Sequence, residues 1–61
     1  NPLVRERANF LLGELYEERY DHEGAIRFYR EVVNLNLGSS GRLVDRAKER
    51  IERIEMSRSK R

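Results

Sequence analysis

Between Ala8 and Leu37 the chain reads ANFLLGELYEERYDHEGAIRFYREVVNLNL, and its apolar residues recur there with the period of a helix, twice over. In the first half, with Val4 just upstream, Ala8, Leu11, Leu12, Leu15 and Tyr16 follow the i, i+3/i+4, i+7 spacing that gathers side chains on one helix face. In the second, Ala25, Ile26, Tyr29, Val32, Val33 and Leu37 do the same. Asp21 separates them and is a good N-cap, because its carboxylate can accept from a backbone N–H of the first turn. Upstream, Asn1 is a second N-cap and Pro2 suits the first helical position, where its missing N–H costs nothing. These signals predict a helix from about Pro2 to about Arg19 and another from about His22 to Leu37.

Downstream of Leu37, Gly38-Ser39-Ser40-Gly41 is the one dense breaker cluster. Gly38 is placed to end the second helix as a left-handed C-cap, and the serines to cap a third. Leu43, Val44, Ala47, Ile51 and Ile54 line one narrow stripe of that third helix, which ends near Met56, with Glu49 and Arg53 as an exposed pair on its far side. No segment alternates with period two. Links of roughly two and four residues leave no room for a crossover, so neighbouring helices run antiparallel. The expected fold is all-α, an antiparallel helical hairpin plus a third helix over residues 1–56, with a polar basic tail, 57–61. Its expected core is Ala8, Leu11, Leu12, Leu15, Tyr16, Ala25, Ile26, Tyr29, Val32, Val33, Ala47, Ile51 and Ile54.

Composition bounds what such a fold can be. With 61 residues the chain buries only about 60% of the surface its unfolded form exposes, so the core is small. It is 38% hydrophobic and 39% charged, with a mean hydropathy of −0.88. Apolar runs of two or three residues fall far short of the roughly 20 a membrane span needs. The absence of cysteine removes disulfides, zinc–thiolate sites and thiol nucleophiles, and leaves the compartment unread, cytoplasmic or periplasmic. An opening Asn1-Pro2 without Met suggests a piece of a longer protein. The net charge of +2 is unevenly spread: residues 1–41 carry an acidic excess of two, residues 42–61 a basic excess of four, much of it in the tail.

Leu12-Gly13-x-x-Tyr16, Ala25 nine residues on and Tyr29 four further resemble a tetratricopeptide repeat, whose pattern is W-x2-L-G-x2-Y, A-x3-F and a closing P. Gly13 and Ala25 are small residues that let two helices approach closely, and the tyrosines fill the space beside them. Asn9 stands at the usual Trp position, Leu37 at the Pro and Tyr20 where a turn glycine is common, so that either Tyr20 takes an unfavourable backbone angle or the turn is built differently. The resemblance implies a protein-interaction or assembly module that binds a protein or peptide in a groove lined by the first helix. The matching positions here are Arg7, Phe10, Glu14 and Glu17. Phe10 lies off the apolar stripe, so it is either an exposed groove aromatic or packed on the third helix or a second copy. Phe10 and Glu14 also replace the Lys and Asn with which some such domains clamp a C-terminal carboxylate.

Other chemistries find less support. His22 lies among Glu18, Asp21 and Glu23, but the turn near Tyr20 breaks their helical register, and no second nitrogen or sulfur ligand exists for a metal. Carboxylate pairs such as Glu14 with Glu18 read as a solvated face, without a nucleophile or a Gly-rich phosphate loop. We therefore expect no catalytic, cofactor or metal residues. The alternative function is a small basic three-helix nucleic-acid binder using Arg42, Arg46, Lys48, Arg50 and Arg53. The interleaved Asp45, Glu49, Glu52 and Glu55 would repel the same phosphates. A single repeat cannot bury its apolar face alone, so neighbouring repeats or a homo-oligomer are expected to cover Val4, Phe10, Phe28 and Leu35.

Overall fold

The computed structural model describes residues 2–35 and 41–59 and has three α-helices in the order α1 Pro2–Glu18, α2 His22–Asn34 and α3 Gly41–Ser59. It is all-α, a helical hairpin with a third helix, and the described residues contain no strand. None of these helices is long and apolar enough to cross a membrane. The Asn1, Gly38, Ser39 and Ser40 caps and the Leu37 terminus lie outside the described residues.

The turn between α1 and α2 is set by backbone hydrogen bonding. Asp21 N–H donates to Tyr16 O at 2.9 Å and Tyr20 N–H to Glu17 O at 3.0 Å, the two bonds of a Schellman stop. That stop needs a left-handed residue between helix and cap, and Tyr20 takes it, with φ 61°. Glycine would accept this conformation without strain; tyrosine does not, which answers the conflict that the sequence raises at this position. One residue later the Asp21 carboxylate caps α2, accepting from Gly24 N–H at 3.0 Å. The N-cap expected from sequence is therefore formed.

At its far end α2 stops at Asn34, three residues short of Leu37. Leu35 is its C-cap, with the Leu35 N–H donating to Glu31 O at 2.9 Å. The third helix instead continues past Met56 to Ser59, with Arg58 in its last turn, where a cation suits the negative end of the helix dipole.

Packing of the hairpin rests on two reciprocal sockets. Gly13 of α1 lies under the Tyr29 ring of α2, so close that a Cβ there would sit 2.5 Å from Tyr29 Cε1. Gly24 of α2 lies equally close under the Tyr16 ring of α1. Each helix thus offers a glycine to the other's tyrosine, and Tyr16 stacks further on Phe28 at 5.1 Å between centroids. Tyr29, Ala25, Val32 and Ala47 are fully buried, joined in the core by Phe10, Ile26, Val44 and Ile54, with Tyr16, Val33, Leu43 and Ile51 packed at its edge.

Helix α1 departs from the expected core. Leu11, Leu12 and Leu15 are 56%, 37% and 47% exposed, and Ala8 is exposed too. The residues it buries are Glu6, Phe10 and Gly13, on the opposite side. The closest approach of two helices can only be made at the residue with no side chain, so Gly13, and not the widest apolar stripe, sets which face points inward. The remaining helix α3 lies along α2 and meets α1 only along the edge carrying Phe10, Glu14 and Glu17, leaving a molecule about 39 × 18 × 13 Å in extent with α2 at its centre.

Candidate interaction surface

Two features of α1 bear on function, one on each face. The inner edge presents Glu14 and Glu17, three residues apart and so on one side of the helix. Opposite them α3 presents Arg50 and Arg53 with the same spacing, and because α1 and α3 point the same way the two pairs register. Arg50 Nη1 lies 3.1 Å from Glu14 Oε2, and Arg53 Nη2 donates to Glu17 Oε2 at 2.8 Å. The Tyr29 hydroxyl completes the cluster, donating to Glu17 Oε1 at 2.8 Å and accepting from Arg50 Nη1 at 3.3 Å. Beneath it Phe10 packs against the Tyr29 ring at 5.5 Å, with the Arg50 guanidinium 5.4 Å from the Phe10 centroid, a cation–π geometry.

The electrostatics follow from these contacts. Burial works to raise the Glu17 carboxyl, but the hydrogen bonds from Tyr29 and Arg53 and the charges of Arg53 and Arg50 outweigh it and hold Glu17 below its ordinary value. Burial and the hydrogen bond to Glu17 push the Tyr29 hydroxyl up to about 12. Burial opposes the charge of Arg50, yet its bond to Tyr29 and the nearby Tyr29, Glu14 and Glu17 charges raise it further above the ordinary range. Such a cluster has the chemistry of a clamp: every group is fixed by an opposite partner, and it ties the third helix to the hairpin.

This changes where the four groove residues stand. Phe10 is 5% exposed, so it is not a free groove aromatic; it is covered by Tyr29 and Arg50. Glu14 and Glu17 are half-buried and engaged by α3, and only Arg7 is exposed. Two of the basic residues weighed for nucleic-acid contact, Arg50 and Arg53, are paired with these carboxylates; Arg53 bonds Glu17 while its side chain stays largely exposed. The matched spacing of Glu14/Glu17 and Arg50/Arg53 was the sequence signal for this edge. His22, half-buried at the start of α2, has a buried Nδ1 without a hydrogen-bond partner, and the described residues contain no group of three His, Cys, Asp or Glu side chains placed to hold a metal ion.

On the outer face the picture is apolar. At about 100° per residue, Val4, Ala8, Leu11, Leu12 and Leu15 fall on one stripe roughly 100° wide, on the side of α1 turned away from Phe10 and Gly13. Val4 is 65% exposed, and with the three leucines it forms the one cluster of large exposed apolar side chains among the described residues; Tyr20 and Met56 stand apart. Phe28 and Leu35, expected to be uncovered, are half-buried. The outward side of α3 is mostly polar, with Asp45, Arg46, Lys48, Glu49, Glu52 and Glu55 all exposed beside a single large apolar side chain, Met56. One end of the molecule is therefore closed by charge and the other left open and apolar. No protein family, characterised protein or solved structure matches this chain.

Proposed function

We propose that the chain is a protein-interaction and assembly module built on a tetratricopeptide-like hairpin, with the outer stripe of α1 as its docking surface for another helical polypeptide. The observation that carries this reading is the exposure of Val4, Leu11, Leu12 and Leu15 on one helix face. Scattered exposed leucines need no explanation, whereas a contiguous apolar stripe on a small, highly charged molecule marks a contact surface. The tetratricopeptide reading is supported by the close approach at Gly13 and the full burial of Ala25 and Tyr29, three positions of that repeat's pattern. The clamp around Glu17 supports a division of labour in which α3 holds the hairpin and α1 meets the partner.

The test is a capture experiment from the source organism with wild type and the double variant Leu11→Glu/Leu15→Glu, with helicity checked by circular dichroism. Leu11 and Leu15 lie outside the buried core, so the variant should stay helical and lose the specific partner. Retention of every specific partner by a folded variant would move the docking surface elsewhere.

A further inference from the structure

We infer that the stripe is self-complementary and takes a second copy of this chain, α1 packing antiparallel on α1 about a two-fold axis near Leu11. The inference rests on the docking surface proposed above and names its occupant. Three observations carry it.

The first is the single-sidedness of the molecule. Among the described residues the large exposed apolar side chains cluster only on α1, while the outward side of α3 is charged apart from Met56. Head-to-tail stacking requires two different complementary faces; one apolar face alone closes with itself, which makes a dimer and stops.

The second is charge. One margin of the stripe carries Arg7 towards the N-terminal end and Glu14 and Glu18 towards the C-terminal end, all three within ~40° of one another on the helix wheel at about 100° per residue. A two-fold axis perpendicular to both helices brings this margin against its own copy with the ends reversed. Arg7 then comes opposite Glu14 and one turn from Glu18 of the other copy, and the contact occurs twice. Parallel packing would instead set this margin against the opposite, Leu12-bearing margin of the other copy, so that Arg7 would not meet Glu14 or Glu18. Glu14 already holds Arg50 within the chain, so the exposed Glu18 is the freer acceptor.

The third is shape. Ala8, exposed and smaller than its stripe neighbours Val4 and Leu11, gives a leucine of the opposite copy room to sit between them. The stripe from Val4 to Leu15 is about 16 Å long at ~1.5 Å per residue. A single-helix contact of this length lies at the small end of specific interfaces, so the dimer forms with micromolar rather than nanomolar affinity.

Sedimentation equilibrium of the full 61-residue chain over a hundredfold concentration range, centred on tens of micromolar, tests this. Wild type should pass from monomer to dimer, and Leu11→Glu should remain monomeric and helical. Arg7→Glu should weaken the dimer by about three- to tenfold, and Arg7→Glu/Glu18→Arg should restore it, because the reversed charges meet again only in the antiparallel arrangement. A wild type that stays monomeric throughout overturns the inference, as does a dimer indifferent to Leu11→Glu or a double variant weaker than Arg7→Glu alone. Loss of the captured partner by Leu11→Glu/Leu15→Glu from a monomeric wild type would leave the docking surface standing and remove only the second copy as its occupant.

Discussion

Gly13 has no side chain, and the Tyr29 ring occupies the space where one would be. Tyr29 is fully buried and fixed at its hydroxyl by Glu17 and Arg50, so it cannot swing aside to admit a new group. Replacing Gly13 by Leu improves helix propensity by about 1 kcal/mol, but overpacking a rigid contact costs about 1–3 kcal/mol. We expect a net loss for Gly13→Leu, seen as a melting temperature lowered by several degrees; a raised melting temperature would mean that the hairpin does not close at Gly13. Ala25, paired with Gly13 in the sequence reading as the other small residue, is fully buried, but the glycine that mirrors Gly13 is Gly24, under Tyr16.

At the level of helices, the buried face of α2 was legible from sequence and that of α1 only in part, for a physical reason. Helix α2 has one apolar face, and every residue buried in it, Ala25, Ile26, Tyr29 and Val32, lies on the stripe that periodicity picks out. Helix α1 has two faces. Its outer one is made of leucines and is what hydropathy finds; its inner one is a phenylalanine, a glycine and carboxylates whose charge is answered only by α3. Periodicity weighs side chains by their aversion to water and so passes over a face whose merit is a missing side chain and a matched ion pair. The clamp on that face is titratable at both ends. Glu17 is held below 4.5, so the stability it lends is present above that pH and is lost as the pH falls through its folded value. Tyr29 is raised from 10.0 to about 12, so its contribution is complete below pH 10 and is lost as the pH rises towards 12. Urea denaturation measured against pH should show stability falling on both sides of a plateau, the alkaline limb at up to about 1.4 kcal/mol per pH unit. Tyr29→Phe should make that limb shallower; an unchanged limb would mean that the Tyr29 hydroxyl is not held by Glu17.

For the molecule as a whole, the organisation is a narrow row of three helices with α2 in the middle, a charged side on α3 and an apolar side on α1. A chain of this length has little core to spare, and leaving three leucines outside it makes stability depend on what covers them. Everything proposed about function depends on the rotation of α1 that puts Phe10 inside and Leu11 outside. The direct test compares the unfolding free energies of Phe10→Ala and Leu11→Ala in dilute solution, where association contributes nothing. Phe10→Ala should cost about 3 kcal/mol or more, enough to unfold so small a domain, and Leu11→Ala less than about 1 kcal/mol. The reverse order, with Leu11→Ala the more damaging of the two, would turn α1 over and contradict the account.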